Sequence, residues 1–510
     1  MRASRRPVVT CLAGAAAHAD DLRVHPRRRA AVLVVAACLP LAACGSRLTA
    51  EQQQLAIGQL QGNAQANGTA GSTGDSGGST SARGGTRAGP AGGNGVSGAS
   101  TGNGSPGSTA TNGSAQQTTR AVQAASSCRA TKATDVGVTP TSITLANIAD
   151  VTGPVPGLFQ SAQQSALAFS AYWNATHGGI CGRQIKVETL DSRTDANGYR
   201  DQMLTACKSA FASVGSMSAF DNGGAQVEDQ CGIPDISAAA VTPENQASKV
   251  TFAANSTQVG QVSSTVPGWI AEKYPQAVGK AAFLYINAGA AAVNAQADVK
   301  TYEQYGHGWK FVYTQPVDIS TFNYAPFVQK MKQNGVRFVQ WLGAYQEAVR
   351  LAQAMQQQGF KPDIFLLDPT GYSSDYVQSG GSAVDGTVVY LDSALFQDAG
   401  SNQEMATYIT WLHRVAGSDA QPSYFGIYAW SAMLLFAQTA EKIGPDLTRA
   451  KLLAALKQVD NWTGNGLHSP QHVGPRQTPN CFAFIQLHGS SWSRLHPTTP
   501  TFDCRPDIGG

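Results

Sequence analysis

Two imidazoles stand four residues apart in His468-Ser469-Pro470-Gln471-His472, a spacing that could offer both rings to one metal ion. Gly and Pro crowd the segment, from Gly464 to Pro475, so a solvated turn is expected there instead of a metal site. No Gly-x-Ser-x-Gly elbow stands between a predicted strand and helix, and neither a phosphate-binding Gly-x4-Gly-Lys loop nor a His-Glu-x-x-His helix occurs. Enzyme chemistry therefore has no recognisable carrier, and no cofactor is expected. Six cysteines follow Cys44, at 128, 181, 207, 231, 481 and 504. They are widely spaced, without a Cys-x-x-Cys pair or an adjoining His, which disfavours zinc and favours disulfides in an exported chain. The 510 residues carry 36 basic and 33 acidic side chains. Seven Arg and two Asp of that total fall in residues 1–43, so the rest is nearly neutral and has no electrostatic footprint for nucleic acid.

The elements that must position any site begin at Gly137, where short apolar runs start to alternate with amphipathic segments in the manner of β-α units and a parallel sheet. Strands are predicted at Ile143–Ile148, Ile185–Leu190, Phe211–Gly215 and Pro234–Ala238. Phe159, Ala162, Ala166, Phe169 and Trp173 recur at three- and four-residue steps and mark a helix stopped by Gly178-Gly179. Further helices are expected at Tyr199–Lys208 and Ala225–Gln230. After a helix near Val259–Ala271 the alternation restarts, with strands at Ala281–Asn287, Phe311–Thr314, Phe338–Leu342 and Ile364–Leu367, and helices at Ala291–Tyr305, Tyr324–Gln333 and Glu347–Gln358. A strand at Val388–Leu391 leads to helices at Glu404–Ala416, Tyr424–Ile443 and Thr448–Val459. The runs Phe482–Leu487 and Trp492–Leu495 then read as a hairpin. The fold class is thus α/β, with two Rossmann-like lobes and parallel sheets joined by a hinge. Lobe 1 is expected over 137–255 and 386–465, and lobe 2 over 256–385 and, with the hairpin, 466–510. If the first lobe winds in the strand order 2-1-3-4, Cys128 can meet Cys181 and Cys207 can meet Cys231, while Cys481 and Cys504 bracket the hairpin. Six cysteines allow 15 pairings, so this assignment rests on the assumed winding.

At the front, Arg27-Arg28-Arg29, the apolar run Ala30–Leu41 and Leu41-Ala42-Ala43-Cys44 resemble the bacterial lipobox. A charged start, a core too short to span a bilayer and small residues before the cut describe a lipoprotein signal peptide over 1–43, with Cys44 as the lipidated residue and membrane anchor. Val35-Ala36-Ala37-Cys38 is a poorer copy with a shorter core. Asp20 and Asp21 are foreign to a signal, and a start at Val24 would remove them. Residues 44–136 form a lipidated N-terminus and tether, in which 63–127 is Gly, Ser, Thr, Ala and Asn with almost no large apolar side chain. Such a chain reaches roughly 45 Å.

The segment ITLANIADVTGPVPG (143–157), an apolar strand, a Thr-Gly-Pro loop and a helix, is followed by GGICGRQIKVETLD (178–191). With AFASVGSMSAFDNGG (210–224), GIPDISAAAVTPE (232–244) and FVQWLGAYQE (338–347), their order resembles the type I periplasmic-binding-protein family. The branch is that of leucine/isoleucine/valine-binding proteins of ABC importers, over Gly137–Cys504. The resemblance implies two lobes that close on a small solute and present it to an ABC permease, without a cofactor and as a monomer. It places the pocket on the loops 152–159, 216–222 and 238–242 of the first lobe, and on 287–289, 345 and 369–372 of the second. Leu158, Phe159, Ser216, Ser218, Phe220, Asp221, Ala239, Ala240, Asn287, Tyr345, Thr370 and Tyr372 are the residues so implicated. Ser216 and Ser218 would donate hydrogen bonds, the backbone near Ala239 and Ala240 would meet an acceptor, and the aromatic rings would wall the site.

Three departures argue against an α-amino acid. The acid that holds the ligand's ammonium in the family falls on Thr370, a carboxylate-gripping hydroxyl falls on Val241, and a second-lobe tyrosine falls near Ala290. A buried zwitterion would lose much of its pairing. The expected ligand is therefore a small polar solute, neutral or singly charged. A ligand-sensing lipoprotein without a transport role stays open as an alternative, and an extracytoplasmic enzyme as a second.

Overall fold

The computed structural model describes residues 128–258 and 260–505. The signal peptide, Cys44, the Val24 start and residues 44–127 lie outside the described residues, whereas 128–136, expected as the end of the tether, are packed on the first lobe through the Cys128–Cys181 disulfide and the Ala130 amide to the Cys181 carbonyl. Among the described residues no helix is long and apolar enough to cross a membrane.

The first lobe is built on β1 (Ser142–Ala149), β2 (Gln184–Asp191), β3 (Ala212–Val214) and β4 (Asp235–Ile236), all parallel in the order β2-β1-β3-β4. Nearly every side chain of β1 is buried, as a strand covered on both faces requires. Helices α1 (Gln160–His177), α2 (Ala196–Ser209), α3 (Asn222–Cys231) and α4 (Pro243–Ala247) follow the strands in turn. The stripe Ala162, Ala166, Phe169 and Trp173 faces inward, and Gly178 ends α1 in the left-handed conformation.

The second lobe begins with α5 (Thr265–Lys273), six residues later than the periodicity suggested. Pro267 sits in its first turn, which a helix tolerates, whereas an earlier start would have put that proline in the interior. Next come β5 (Ala281–Ile286), α6 (Gly289–Tyr305), β6 (Phe311–Val317), α7 (Ala325–Gln333), β7 (Phe338–Leu342), α8 (Tyr345–Gln357), β8 (Ile364–Leu367), α9 (Ser374–Gly380) and β9 (Val388–Leu391). Strand β9 pairs in parallel with β8, so Val388–Leu391 belongs to this sheet and not to the first lobe, where 386–465 was expected. Three helices then return to the first lobe: α10 (Gln403–Ala416), α11 (Tyr424–Ile443) and α12 (Arg449–Leu456). Phe169 of α1 meets Trp430 of α11 edge to face at 5.0 Å. The chain ends in β10 (Cys481–His488), β11 (Ser491–His496) and β12 (Asp503–Cys504), antiparallel additions to the edge of β9. Disulfides join Cys128 to Cys181, Cys207 to Cys231 and Cys481 to Cys504.

Three segments cross between the lobes, and one buried carboxylate joins them. Asp392, just after β9, accepts hydrogen bonds from Asn255 Nδ2 (3.0 Å) on the first crossing and Gln471 Nε2 (3.2 Å) on the third. The Tyr424 hydroxyl donates to it as well, at 2.7 Å. His468 lies in the same region and is buried: its Nε2 faces the Ser431 hydroxyl at 2.7 Å and its Nδ1 faces the Ser469 carbonyl at 2.9 Å. Burial pushes it down to about 4, so it is neutral. His472 turns instead to Asp460. The expected solvated turn is thus a packed crossing at His468. Among the described residues no group of His, Cys, Asp and Glu is placed to hold a metal.

Candidate functional site

The carboxyl ends of the strands in both sheets face one cleft, where in open α/β sheets loops and free backbone groups gather. At its centre is a cavity of about 130 Å³. The first lobe contributes Leu158 and Phe159 after β1, Met217, Ala219 and Phe220 after β3, and Val241 after β4. The second contributes Ile286, Ala288, Ala290 and Ala291 around the end of β5, Ile319, and Leu342 to Ala344 after β7. Phe425 of α11 closes one side, with Phe159 packed edge to face on it at 4.8 Å. Polar side chains are few: Thr194, Asn294, Glu347, Asp368 and Thr370.

Two wider spaces flank this cavity. On the side of the crossings, a chamber of about 260 Å³ is lined by Ala239, Ala240, Asp298, Tyr302, Tyr390 and Asp392, among others. On the other side, a groove of about 390 Å³ is lined by Tyr345, Tyr372, Asp375 and Gln160, among others. Phe425 borders all three spaces. A larger space of about 470 Å³, beside Gln296, Lys300 and Glu303, belongs to the outer face of α6 and not to the cleft.

Of the residues implicated by the sequence, Leu158, Phe159, Phe220 and Thr370 come together in the central cavity. Ala239 and Ala240 reach only the chamber, and Tyr345 and Tyr372 only the groove. Tyr372 is further committed, since its ring stacks on Phe396 at 4.4 Å and its hydroxyl donates to Gln397. Asn287 is exposed and borders none of the three spaces. Ser216, Ser218 and Asp221 are spent on holding loops. Ser216 accepts from the Ile148 amide (2.9 Å) and pairs with Ser213. Ser218 donates to Asp150 (2.7 Å) and accepts from the Phe220 amide. Asp221 takes the amides of Val241 and Thr242 and the Thr242 hydroxyl, tying the loop after β3 to that after β4. Burial nonetheless lifts Asp221 to about 7. These polar groups are consumed because a strand-end loop must satisfy its own buried amides first.

Asn294, Glu347, Asp298 and Phe425 were missed. Asn294 and Asp298 are one helical turn apart on α6, a spacing that puts both on one face, and this was the available signal. Burial, with the field of Asp368 added, raises Asp298 to about 7, and burial raises Asp368 itself to about 7 against the Thr370 hydroxyl 2.5 Å away. No Lys or Arg lines the cavity, the chamber or the groove. Among the described residues two hydrogen bonds join the lobes across the cleft: the Ala290 amide donates to the Ala219 carbonyl at 2.8 Å, and Asn294 Nδ2 donates to the Val241 carbonyl at 3.2 Å.

The sequence profile of the family described as periplasmic binding protein matches residues 142–489. A Leu/Ile/Val-binding protein homolog 1 from Brucella suis biovar 1 is 27% identical over 137 residues, which are 27% of this chain and 35% of that protein. The chain thus matches about a third of the length of that curated relative. Among solved structures, a fatty acid ABC transporter substrate-binding protein from Thermomonospora curvata superposes with a TM-score of 0.61 at 17% identity, covering 73% of this chain and 95% of the other. A solute-binding protein of an ABC transporter from R. palustris, in complex with benzoate, superposes with a TM-score of 0.59 at 15% identity over 72% and 98%.

Proposed function

The chain belongs to the periplasmic binding protein family, and from that premise we propose that it is an extracytoplasmic lipoprotein that captures a small, mainly apolar solute between its lobes for delivery to an ABC permease. The observation that carries this reading is the make-up of the central cavity. Its walls are Val, Leu, Ile, Met, Ala and Phe side chains at the carboxyl ends of strands, with five polar groups at the edges. A cavity of this kind favours an apolar body by removing its surface from water, at roughly 25 cal/mol per Å² buried. The polar solute expected from the sequence suits these walls less well.

An α-amino acid fits poorly for the reasons that Thr370, Val241 and Ala290 supply. No Lys or Arg lines the cavity, and the hydroxyls of Thr194, Thr370, Ser216 and Ser218 are already paired within the protein. Among neighbours of the same fold, one is in complex with benzoate and one is named for fatty acids, ligands with an apolar body and a carboxylate, while another is in complex with isoleucine. Delivery to a permease, lipid anchoring at Cys44 and a purely binding role without catalysis are parts of the same proposal.

A thermal-shift screen of the full chain against amino acids, sugars, amides, aromatic solutes and short aliphatic chains tests it. A ligand at a hundred times its Kd adds about 2.7 kcal/mol of stability and so raises the melting temperature by several degrees. Stabilisation by apolar solutes is expected. Stabilisation by amino acids or sugars alone would refute the reading.

A further inference from the structure

The cavity's polar edge, on the second-lobe side, is acidic. Glu347 stands in the first turn of α8, is 5% exposed and lines the central cavity. Its Oε1 pairs with Arg350 at 3.2 Å, but its Oε2 is buried without a hydrogen-bond partner. A carboxylate oxygen left so is costly in the empty protein and is relieved by a donor brought from outside. Burial raises the Glu347 carboxyl above the usual range, against the opposing pull of its own backbone amide at the helix N-terminus and of Arg350. Asp368 lines the same cavity, and Asp298 lies next to it in the adjoining chamber without a hydrogen bond or ion pair of its own. Arg350, the cation paired with Glu347, has its guanidinium turned over the Phe322 ring at 5.0 Å.

Resting on the reading of the cavity as a site for an apolar solute, we propose that the solute carries a protonated amine, received by the carboxyl of Glu347 beside those of Asp368 and Asp298. The ligand class is then a primary amine on a ring or short chain of about six carbons, since a dry apolar cavity of about 150 Å³ accommodates one benzene ring. A carboxylate on the same body would instead face three acids with no base among the lining residues.

The test is calorimetric titration of the full chain at neutral pH with benzylamine, benzyl alcohol and benzoate, and in parallel with hexylamine, hexanol and hexanoate. The amines are expected to bind about tenfold or more tightly than their alcohols, and the carboxylates weakest. Glu347→Gln is expected to remove about tenfold of amine affinity while leaving alcohol binding within about twofold, which also shows that the variant is folded. Asp368→Asn, a second variant, is expected to lower amine binding in the same sense. Carboxylates or alcohols binding as well as amines would overturn the amine assignment while the apolar site stands, as would an equal loss for all three in Glu347→Gln. Binding of none of the six would sink the apolar reading and the amine assignment together.

Discussion

A methyl group at Gly289 should hold the cleft open. Gly289 begins α6 with a φ of +51°, and a Cβ there would lie 2.5 Å from the Ala219 carbonyl oxygen and 3.1 Å from two atoms of the Phe220 ring. That carbonyl accepts the Ala290 amide across the cleft. Two costs follow for Gly289→Ala. The left-handed backbone costs about 1–2 kcal/mol, but it does so whether the lobes are together or apart. The overlap exists only when they are together. Relieving it requires α6 or the loop after β3 to withdraw, which loses the Ala290 to Ala219 hydrogen bond and the ring contact, about 2 kcal/mol in all. The closed form then falls about 30-fold relative to the open one, and the apparent affinity for a solute held by closure falls by up to the same factor. Hydrogen exchange read by mass spectrometry should show peptides spanning 287–295 losing protection while β5 keeps its own. Calorimetry with an apolar solute from the screen should show the matching loss. Unchanged protection of Ala290 together with affinity within about twofold of the original would refute the argument that this contact is part of closure.

Other perturbations have equally definite outcomes. Asp392→Ala removes the acceptor shared by Asn255, Gln471 and Tyr424; Asn255 keeps the Tyr424 hydroxyl and Gln471 keeps Tyr428 and Ser469, so the Tyr424 hydroxyl is the donor left without an acceptor, and the change should cost about 1–3 kcal/mol in urea unfolding, with Asp392→Asn less severe. Arg449→Ala should cost about 2–4 kcal/mol, because the guanidinium donates to the carbonyls of Phe211, Ala210, Cys207 and Cys231 and so ties α12 to the ends of α2 and α3. Acidification should stabilise the fold. Asp221, Asp298 and Asp368, lifted to about 7, and Asp235, lifted to about 6, all by burial first, are protonated in the native state at pH values where the unfolded chain ionises. Their contribution is complete below about 4 and is lost as pH rises through 6 to 7, by up to about 4 kcal/mol for Asp221 alone. His468, held down at about 4, acts in the opposite sense as pH falls below about 6.5. The melting temperature should therefore be higher near pH 5.5 than near pH 8, and a flat or rising profile toward pH 8 would contradict the burial of these carboxyls.

The order of strands and helices was legible because each parallel strand is an unbroken apolar run and each helix shows its buried stripe. SITLANIA of β1 and AAFLYI of β5 state their own burial. The winding of the first sheet brings Cys128 to Cys181 and Cys207 to Cys231, a proximity that needs only the topology. What periodicity could not settle was which sheet claims a strand. Val388–Leu391 reads the same in either lobe, and its place is decided by the edge of β8 and by the hairpin that then pairs with it.

The site was less legible, for a reason that Ser218 and Thr370 illustrate from opposite sides. A hydroxyl in a strand-end loop reads as a ligand donor, yet whether it is free depends on a partner far away in sequence. Ser218 finds Asp150, 68 residues earlier, and turns inward. Thr370 finds Asp368 and the Gly343 carbonyl and still borders the cavity, alongside Ala344 and Leu342. The residues that make those walls, Ala219, Val241, Ala288, Ala290 and Ala344, carry no chemistry that a motif could announce. They become a site only when two sheets, each wound correctly, bring their carboxyl ends face to face. Polarity in such a cleft is therefore read from what is left unpaired after the loops have satisfied themselves, and on the second-lobe side Glu347 is one such residue.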